Sequence, residues 1–257
     1  MPNWRRECDL LFIAIAFLTR IPIPAGTAHT QENLNAASRY FPAVGLLVGA
    51  IAAAIFACSN SLWTIGIAII LAMAATVRIT GAFHEDGFAD SCDGFGGGWT
   101  RDQVLTIMKD SRIGTYGAVG LGLLLAIKFL ALQALGEPWK IACAFLVGHT
   151  WSRLLAISYL LNFSYVRDGE SSKVKPLATA MSRNDFFIAG LIALPLVLTI
   201  SPLQTGAIVL TLALWRWWFG RYMLRRIDGY TGDCLGAAQQ VAEVLIYLIL
   251  AVPLLNG

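Results

Sequence analysis

The sequence predicts an all-α polytopic membrane bundle of about seven transmembrane helices, within a range of six to eight, arranged as hairpins joined by cytoplasmic loops. Three observations carry that reading. Of the 257 residues, 57% are hydrophobic and only 14% charged, against about 25% charged in a soluble domain. Apolar runs near the roughly 20 residues needed to cross a bilayer recur along nearly the whole chain, so residues 1–257 read as a single integral membrane domain. Lys and Arg sit in short polar clusters between those runs rather than in one stripe, a charge pattern that argues against a nucleic-acid surface.

The run Leu10–Leu18 is short for a span, and either an interfacial or a crossing helix accommodates it. Arg5 and Arg6 precede it, but Glu7 and Asp9 interrupt the basic region. Arg20, Pro22 and Pro24 stand where a cleavage site would be, so no signal peptide is expected to be removed. A first hairpin follows, about Phe41–Ala57 and Leu62–Phe83, broken at Cys58–Ser61. The longest hydrophilic stretch, 84–112, then holds Glu85, Asp86, Asp90, Asp93, Asp102 and Asp110. The second hairpin covers Ile113–Leu135 and Ile141–Leu161. The third runs from Phe186 to about Trp215 around Ser201–Pro202, and a last apolar run covers Leu235–Leu255. Loops 84–112, 162–185 and 216–234 carry most of the Lys and Arg, including Arg167, Lys173 and Lys175, which places them in the cytoplasm by the positive-inside rule. The five cysteines, Cys8, Cys58, Cys92, Cys143 and Cys234, are scattered without a C-x-x-C pair, so neither a disulfide framework nor a zinc site is expected.

Chemistry concentrates where the second run leaves the membrane, in His84-Glu85-Asp86-Gly87-Phe88-Ala89-Asp90-Ser91-Cys92-Asp93-Gly94. If the helix continues, Asp86, Asp90 and Asp93 at i, i+4 and i+7 fall within roughly 60° of one another. Three carboxylates on one stripe repel unless a cation lies between them, and oxygen donors suit a hard ion such as Mg²⁺ or Mn²⁺. A solvated acidic loop is the plain alternative. Lys109-Asp110-Ser111-Arg112-Ile113-Gly114-Thr115-Tyr116-Gly117 supplies cationic donors, glycines and a helix N-terminus, the ingredients of a phosphate site, or else an ordinary membrane anchor. Asp233 opens the last run, where Gly236, Gln239, Gln240 and Glu243 form one polar helix face; such residues turn to a bundle interior or a wet cavity. His149 and Arg153 lie one turn apart. Arg20 and Arg39 stand at membrane boundaries, where snorkelling alone accounts for them.

The strings His84–Gly94 and Ile107–Gly117 resemble the cobalamin synthase signature, H-x-D-G-x-A-D-x-x-D-G followed by I-M-K/R-D-S-R-x-G-T-x-G. The blocks Phe17–Pro24, Arg39–Pro42 with Gly45, and Thr231–Ala237 resemble further parts of that family in the right order. Glu85 stands where many relatives carry an apolar residue and is given less weight as a ligand. The resemblance implies a Mg²⁺-dependent phosphoryl transfer: adenosylcobinamide-GDP reacts with alpha-ribazole, or its 5'-phosphate, to give adenosylcobalamin or its phosphate and GMP. It implies metal ligation by Asp86, Asp90 and Asp93, with Asp93 accepting the ribazole proton and Lys109 and Arg112 neutralising phosphate charge. Arg20, Arg39, His84, Asp110, Ser111, Gly114, Asp233 and Glu243 are expected to line the substrate site. Expected surroundings are a bacterial inner membrane with the site facing the cytoplasm, and as partners membrane lipid, other cobamide-assembly enzymes or a second copy of the chain, with no nucleic acid. Two rivals share the physics. Lipid-making CDP-alcohol phosphotransferases use D-x-x-D-G-x-x-A-R, but the present spacing puts Asp90 where that Arg would stand. A cation transporter would need acids spread through the bilayer midplane.

Overall fold

The computed structural model describes residues 4–24, 27, 30–166 and 178–253; Arg167, Lys173, Lys175 and the last residues of the final apolar run lie outside them. The chain is helical: α1 (Trp4–Leu18), α2 (Gln31–Ala37), α3 (Phe41–Asn60), α4 (Ile65–Thr80), α5 (Phe83–Gly97), α6 (Arg101–Met108), α7 (Thr115–Ala134), α8 (Pro138–Ser158), α9 (Arg183–Ala193), α10 (Pro202–Ile227) and α11 (Gly232–Leu250). Among the described residues no strand forms, only an isolated bridge between Tyr165 and Tyr230.

Local chemistry sets the helix boundaries. Thr100 with Gln103 and Ser201 with Gln204 form reciprocal capping boxes at the starts of α6 and α10, each satisfying amide groups that the first turn leaves unpaired. Thr231 Oγ1 accepts from the Cys234 N–H and starts α11. The stretch 84–112, expected as a loop, is mostly the two helices α5 and α6. Its acidic composition reflects a helix with one wet face, not an absence of structure.

Four helical segments among the described residues are long and apolar enough to cross a membrane: Gln31–Asn60, Thr115–Ala134, Pro138–Leu161 and Gly232–Leu250. The bent pair α4 and α5 makes a fifth if taken as one span. Of the seven expected spans, the two arms of the third hairpin fall outside that range of length and hydropathy. Helix α1 has 15 residues and is about 22 Å long at 1.5 Å per residue, short of a hydrocarbon core of about 30 Å. The first arm of the third hairpin stops after 11 residues and tightens into a 3-10 turn, Leu194–Thr199, with Pro195 in its first turn, since proline cannot donate to an α-helical ladder. The second arm, α10, carries Arg216, Arg221, Arg225 and Arg226 in its later half.

At the bundle centre α3 lies against α8, where Gly45 and Gly49 bring the backbone of α3 onto that of residues 145–150. The outward faces are apolar and exposed: Val119, Leu123, Ile127 and Leu130 on α7, and Val209, Leu210 and Leu214 on α10. Surfaces of that kind fit lipid rather than water.

The polar segments meet at one end. Arg226 donates to the carbonyls of Gly98 (2.6 Å) and Phe95 (3.3 Å), and Arg101 pairs with Asp228 at 3.6 Å. The Val166 N–H donates to Tyr230 O at 2.9 Å, and Arg39 bridges Glu7 (2.7 Å) and Asp185 (2.9 Å). The junctions α5–α6, α8–α9 and α10–α11 are thus tied together, the convergence that the loop charges predict. The opposite end carries the turns around Glu137 and Ser201, which line an open cavity of about 420 Å³ with Lys140, Leu198 and Gln204, remote from the aspartates of α5.

Candidate active site

The site begins at a bend. Gly81 (φ 71°) and Ala82 (φ 60°) both adopt the left-handed conformation, and the chain turns 87° between α4 and α5. Glycine accepts that geometry freely, whereas at Ala82 it costs on the order of 1–2 kcal/mol. The Arg20 guanidinium occupies the place a Gly81 Cβ would take, and the Arg20 N–H donates to Ile79 O at 2.7 Å. Arg20, expected as a substrate contact, therefore buttresses the bend, with its side chain still exposed at the polar end.

The bend presents α5 with two faces. His84, Glu85, Gly87, Ala89, Ser91 and Asp93 are buried, while Asp86 is exposed and Asp90 half-buried. Asp90 is repelled by Asp233 most strongly, then by Asp86 and Asp93, and Asp233 is in turn repelled by Asp86. Two helices therefore bring three carboxylates together: Asp86 and Asp90 from α5, and Asp233 from the first turn of α11. They can approach because Gly87 lies on the Asp233 backbone; a Cβ on Gly87 would come within 2.9 Å of Asp233 Cα.

Asp93 does something else. Its Oδ2 accepts the Gly114 N–H at 2.7 Å and its Oδ1 the Gly117 N–H at 2.8 Å. Both oxygens are engaged by amides at the start of α7, an electrostatically favourable place for a carboxylate. A side chain at Gly114 or Gly117 would run into that carboxylate. The expected stripe Asp86–Asp90–Asp93 is therefore split: two members face Asp233, and the third anchors α7. The glycines read as a phosphate loop serve the protein's own carboxylate.

Between α6 and α7, Lys109 follows α6 as its C-cap. Asp110 and Arg112 form a two-pronged pair, with Nη2–Oδ2 at 2.6 Å and Nε–Oδ1 at 3.0 Å, while the Arg112 side chain stays 87% exposed. The guanidinium holds the Asp110 carboxyl down at about 2. Ser111 is exposed on the same turn.

Among the described residues, no three His, Cys, Asp or Glu side chains converge closely enough to enclose a metal ion. The donor chemistry nonetheless suits Mg²⁺. That ion is typically held by one or two carboxylates and completes its octahedron with water and substrate phosphates, not with a closed protein cage. Carboxylates that repel one another at the rim of the bundle offer such a partial shell.

The family model described as CobS, cobalamin-5-phosphate synthase, matches residues 10–251. The chain belongs to this family. It is 47% identical to an adenosylcobinamide-GDP ribazoletransferase of Shewanella frigidimarina over 96% of each chain. A protein of the same name from Vibrio cholerae is 44% identical over 96% of this chain and 94% of the relative, and one from Shewanella piezotolerans is 45% identical over 98% of both. No solved structure matches the chain.

Other residues expected at the substrate site are buried or engaged by the protein's own groups. Glu243 is buried, and protein groups take up its carboxylate: Lys128 Nζ at 2.9 Å, His149 Nδ1 at 3.3 Å, Gln239 Nε2 at 2.7 Å and the Tyr247 hydroxyl at 3.1 Å. The Lys128 ammonium also donates to Gln240 Oε1 at 2.7 Å, and Gln240 Nε2 donates to Glu85 Oε1 at 3.1 Å. Arg153 Nη1 donates to His149 O at 2.9 Å. His84 is likewise buried, in a narrow crevice shared with Arg153, Phe17 and Phe41. Arg39 is held in its clamp between Glu7 and Asp185.

Lys128 and the role of Glu85 escape the sequence reading. The signal for Lys128 is present: it is the one charged residue between Ile113 and Leu135, and an ionisable group inside an apolar helix marks a polar interior.

Proposed function

We propose that this chain transfers the adenosylcobinamide phosphoryl group from adenosylcobinamide-GDP to alpha-ribazole or its 5'-phosphate, releasing GMP, at the carboxylates Asp86, Asp90 and Asp233. The activity named for the relatives supports the reaction. One observation supports its location: Gly87, between Asp86 and Asp90 on α5, lies against the Asp233 backbone at the start of α11, at the end of the bundle where the polar segments meet.

In this reading a hydroxyl oxygen of the ribazole attacks the corrinoid-side phosphorus, and the bond from that phosphorus to the bridging oxygen breaks. GMP departs, and the hydroxyl proton passes to a carboxylate. Asp90 replaces Asp93 as the acceptor, because both Asp93 oxygens already hold amide hydrogens. Mg²⁺, held by Asp86, Asp90 and Asp233, would supply charge neutralisation to the diphosphate. Arg112, exposed beside the site, can turn from Asp110 to a phosphate oxygen, and Lys109 adds charge on the same segment. The basic residues of this end, among them Arg20, Arg101, Lys109, Arg112, Arg225 and Arg226, support a site on the cytoplasmic face of a bacterial inner membrane by the positive-inside rule.

The test is conversion of adenosylcobinamide-GDP and alpha-ribazole by the detergent-purified protein, with Mg²⁺ and with chelator. Product that appears with Mg²⁺ and vanishes with chelator is expected. Turnover indifferent to chelator would remove the metal from the account, and transfer of CDP-linked head groups instead would overturn the substrate.

A further inference from the structure

Helices α5 and α11 meet almost backbone to backbone. Gly87 lies on Asp233, and a Cβ on Gly236 would come 3.1 Å from His84 O and 3.3 Å from Gly87 Cα. An interface of small residues allows close approach, but it offers few interlocking side chains to fix how far one helix slides along the other. The proposed carboxylate set straddles this interface, with Asp86 and Asp90 on one side and Asp233 on the other, so a slip of one helix would pull it apart.

One hydrogen bond between side-chain nitrogen and oxygen atoms crosses from α11 to α5 among the described residues, that of Gln240 Nε2 to Glu85 Oε1. It is buried at both ends. Gln240 is itself held, its Oε1 accepting from Lys128 Nζ on α7 and its Nε2 donating to Gln239 Oε1. Lys128 is fixed by Glu243 one turn further along α11. Glu85, Gln240, Lys128 and Glu243 therefore form a continuous polar chain through three helices.

We infer that the Glu85–Gln240 contact, held by Lys128, is a register lock that aligns α5 with α11, and that Gln240 is a positioning residue for the carboxylate site. The inference rests on the proposed reaction site for its effect on turnover. The lock itself is readable without any reaction, because Ser91 of α5 contacts Cys234 of α11 across the same interface.

The test therefore has two readouts. In a chain whose only cysteines are Cys234 and that of Ser91→Cys, a membrane-permeant copper–phenanthroline oxidant and oxygen should form the α5–α11 disulfide readily. Adding Gln240→Leu should slow that cross-link at least about fivefold. In the otherwise native chain, Gln240→Leu should lower kcat about tenfold or more, leave KM for the corrinoid within about twofold, and raise the Mg²⁺ concentration giving half-maximal rate. Glu85→Gln keeps the accepting oxygen and should stay close to the parent in both readouts, whereas Glu85→Leu should behave as Gln240→Leu does. Should Gln240→Leu not accumulate in membranes, Glu85→Leu breaks the same contact and is read the same way. Unchanged cross-linking in these variants would overturn the lock, whatever turnover does. Slowed cross-linking with full turnover would keep the lock and remove its link to the site.

Discussion

Two groups of charges lie on opposite faces of α5, and they differ in how deeply they are buried. Toward the bundle interior, Glu85 and Glu243 share a buried network with Lys128 and Arg153, and the formal charges of these four residues cancel. Toward the polar end, Asp86, Asp90 and Asp233 repel one another, while Arg39, Arg101 and Arg112 are paired with other carboxylates. Low-dielectric surroundings punish an unpaired ion, so the first group has to be balanced internally. The second lies where a cation and a diphosphate can arrive from water. The contrast separates charges that hold the fold from charges that wait for substrate.

The largest expected effect breaks the second group. Asp90→Asn should lower turnover by about 10²–10⁴-fold, the range for loss of a general base, with little change in thermal stability. A drop of less than tenfold at saturating Mg²⁺ would move the chemistry elsewhere.

Breaking the first group should do the reverse. Lys128→Met leaves the Glu243 carboxylate buried without its cation and should cost about 3–5 kcal/mol of stability. Replacing both, as Lys128→Met with Glu243→Met, should recover most of that cost, because apolar residues of similar volume replace a buried pair at little expense. A detergent melt in which the double variant is no more stable than the single one would contradict the balanced-network reading.

A smaller effect sharpens the line between the groups at Asp93. Gly114→Ala puts a methyl group into the Asp93 carboxylate and should destabilise the start of α7 by about 1–3 kcal/mol, the cost of a charge-assisted hydrogen bond. Hydrogen exchange at the first turn of α7 reads this directly; unchanged protection there would mean that Asp93 is not its anchor.

The smallest effect concerns Asp110. Arg112 holds its carboxyl down at about 2, so whatever stability the pair adds is present above the ordinary carboxylate range and lost only as pH falls toward that value. Asp110→Asn should accordingly leave the shape of the rate profile unchanged between about pH 5 and 9. A limb of the profile that disappears with the substitution would contradict this.

Several of these features are legible in the sequence. The spacing of Asp86 and Asp90 is enough to put them on one helix face, and the i, i+3, i+4, i+7 pattern from Gly236 to Glu243 marks α11 as turned inward. Asp93 shares the helical period of the stripe but lies beside Gly114 and Gly117 only because α5 folds back along α7, a tertiary fact with no local signature. The 87° bend is hidden for a similar reason, since it needs a left-handed alanine, which residue preferences disfavour. Lys128 pairs with Glu243, 115 positions away, and a charge inside an apolar run says that it has a partner without saying which. A hydropathy count also does not register that Pro195 ends α9 early.

Divalent-cation binding tests the central distinction most directly. Mn²⁺ can stand in for Mg²⁺ at oxygen ligands, and its affinity can be followed by electron paramagnetic resonance on the detergent-purified protein with a non-hydrolysable analogue of the diphosphate substrate. Asp90→Asn and Asp233→Asn should each weaken binding by at least about tenfold, as expected for loss of a carboxylate ligand, while Glu243→Gln should leave it within about twofold. Equal weakening by Glu243→Gln, or none by Asp233→Asn, would contradict the division between a balanced interior network and an open carboxylate site.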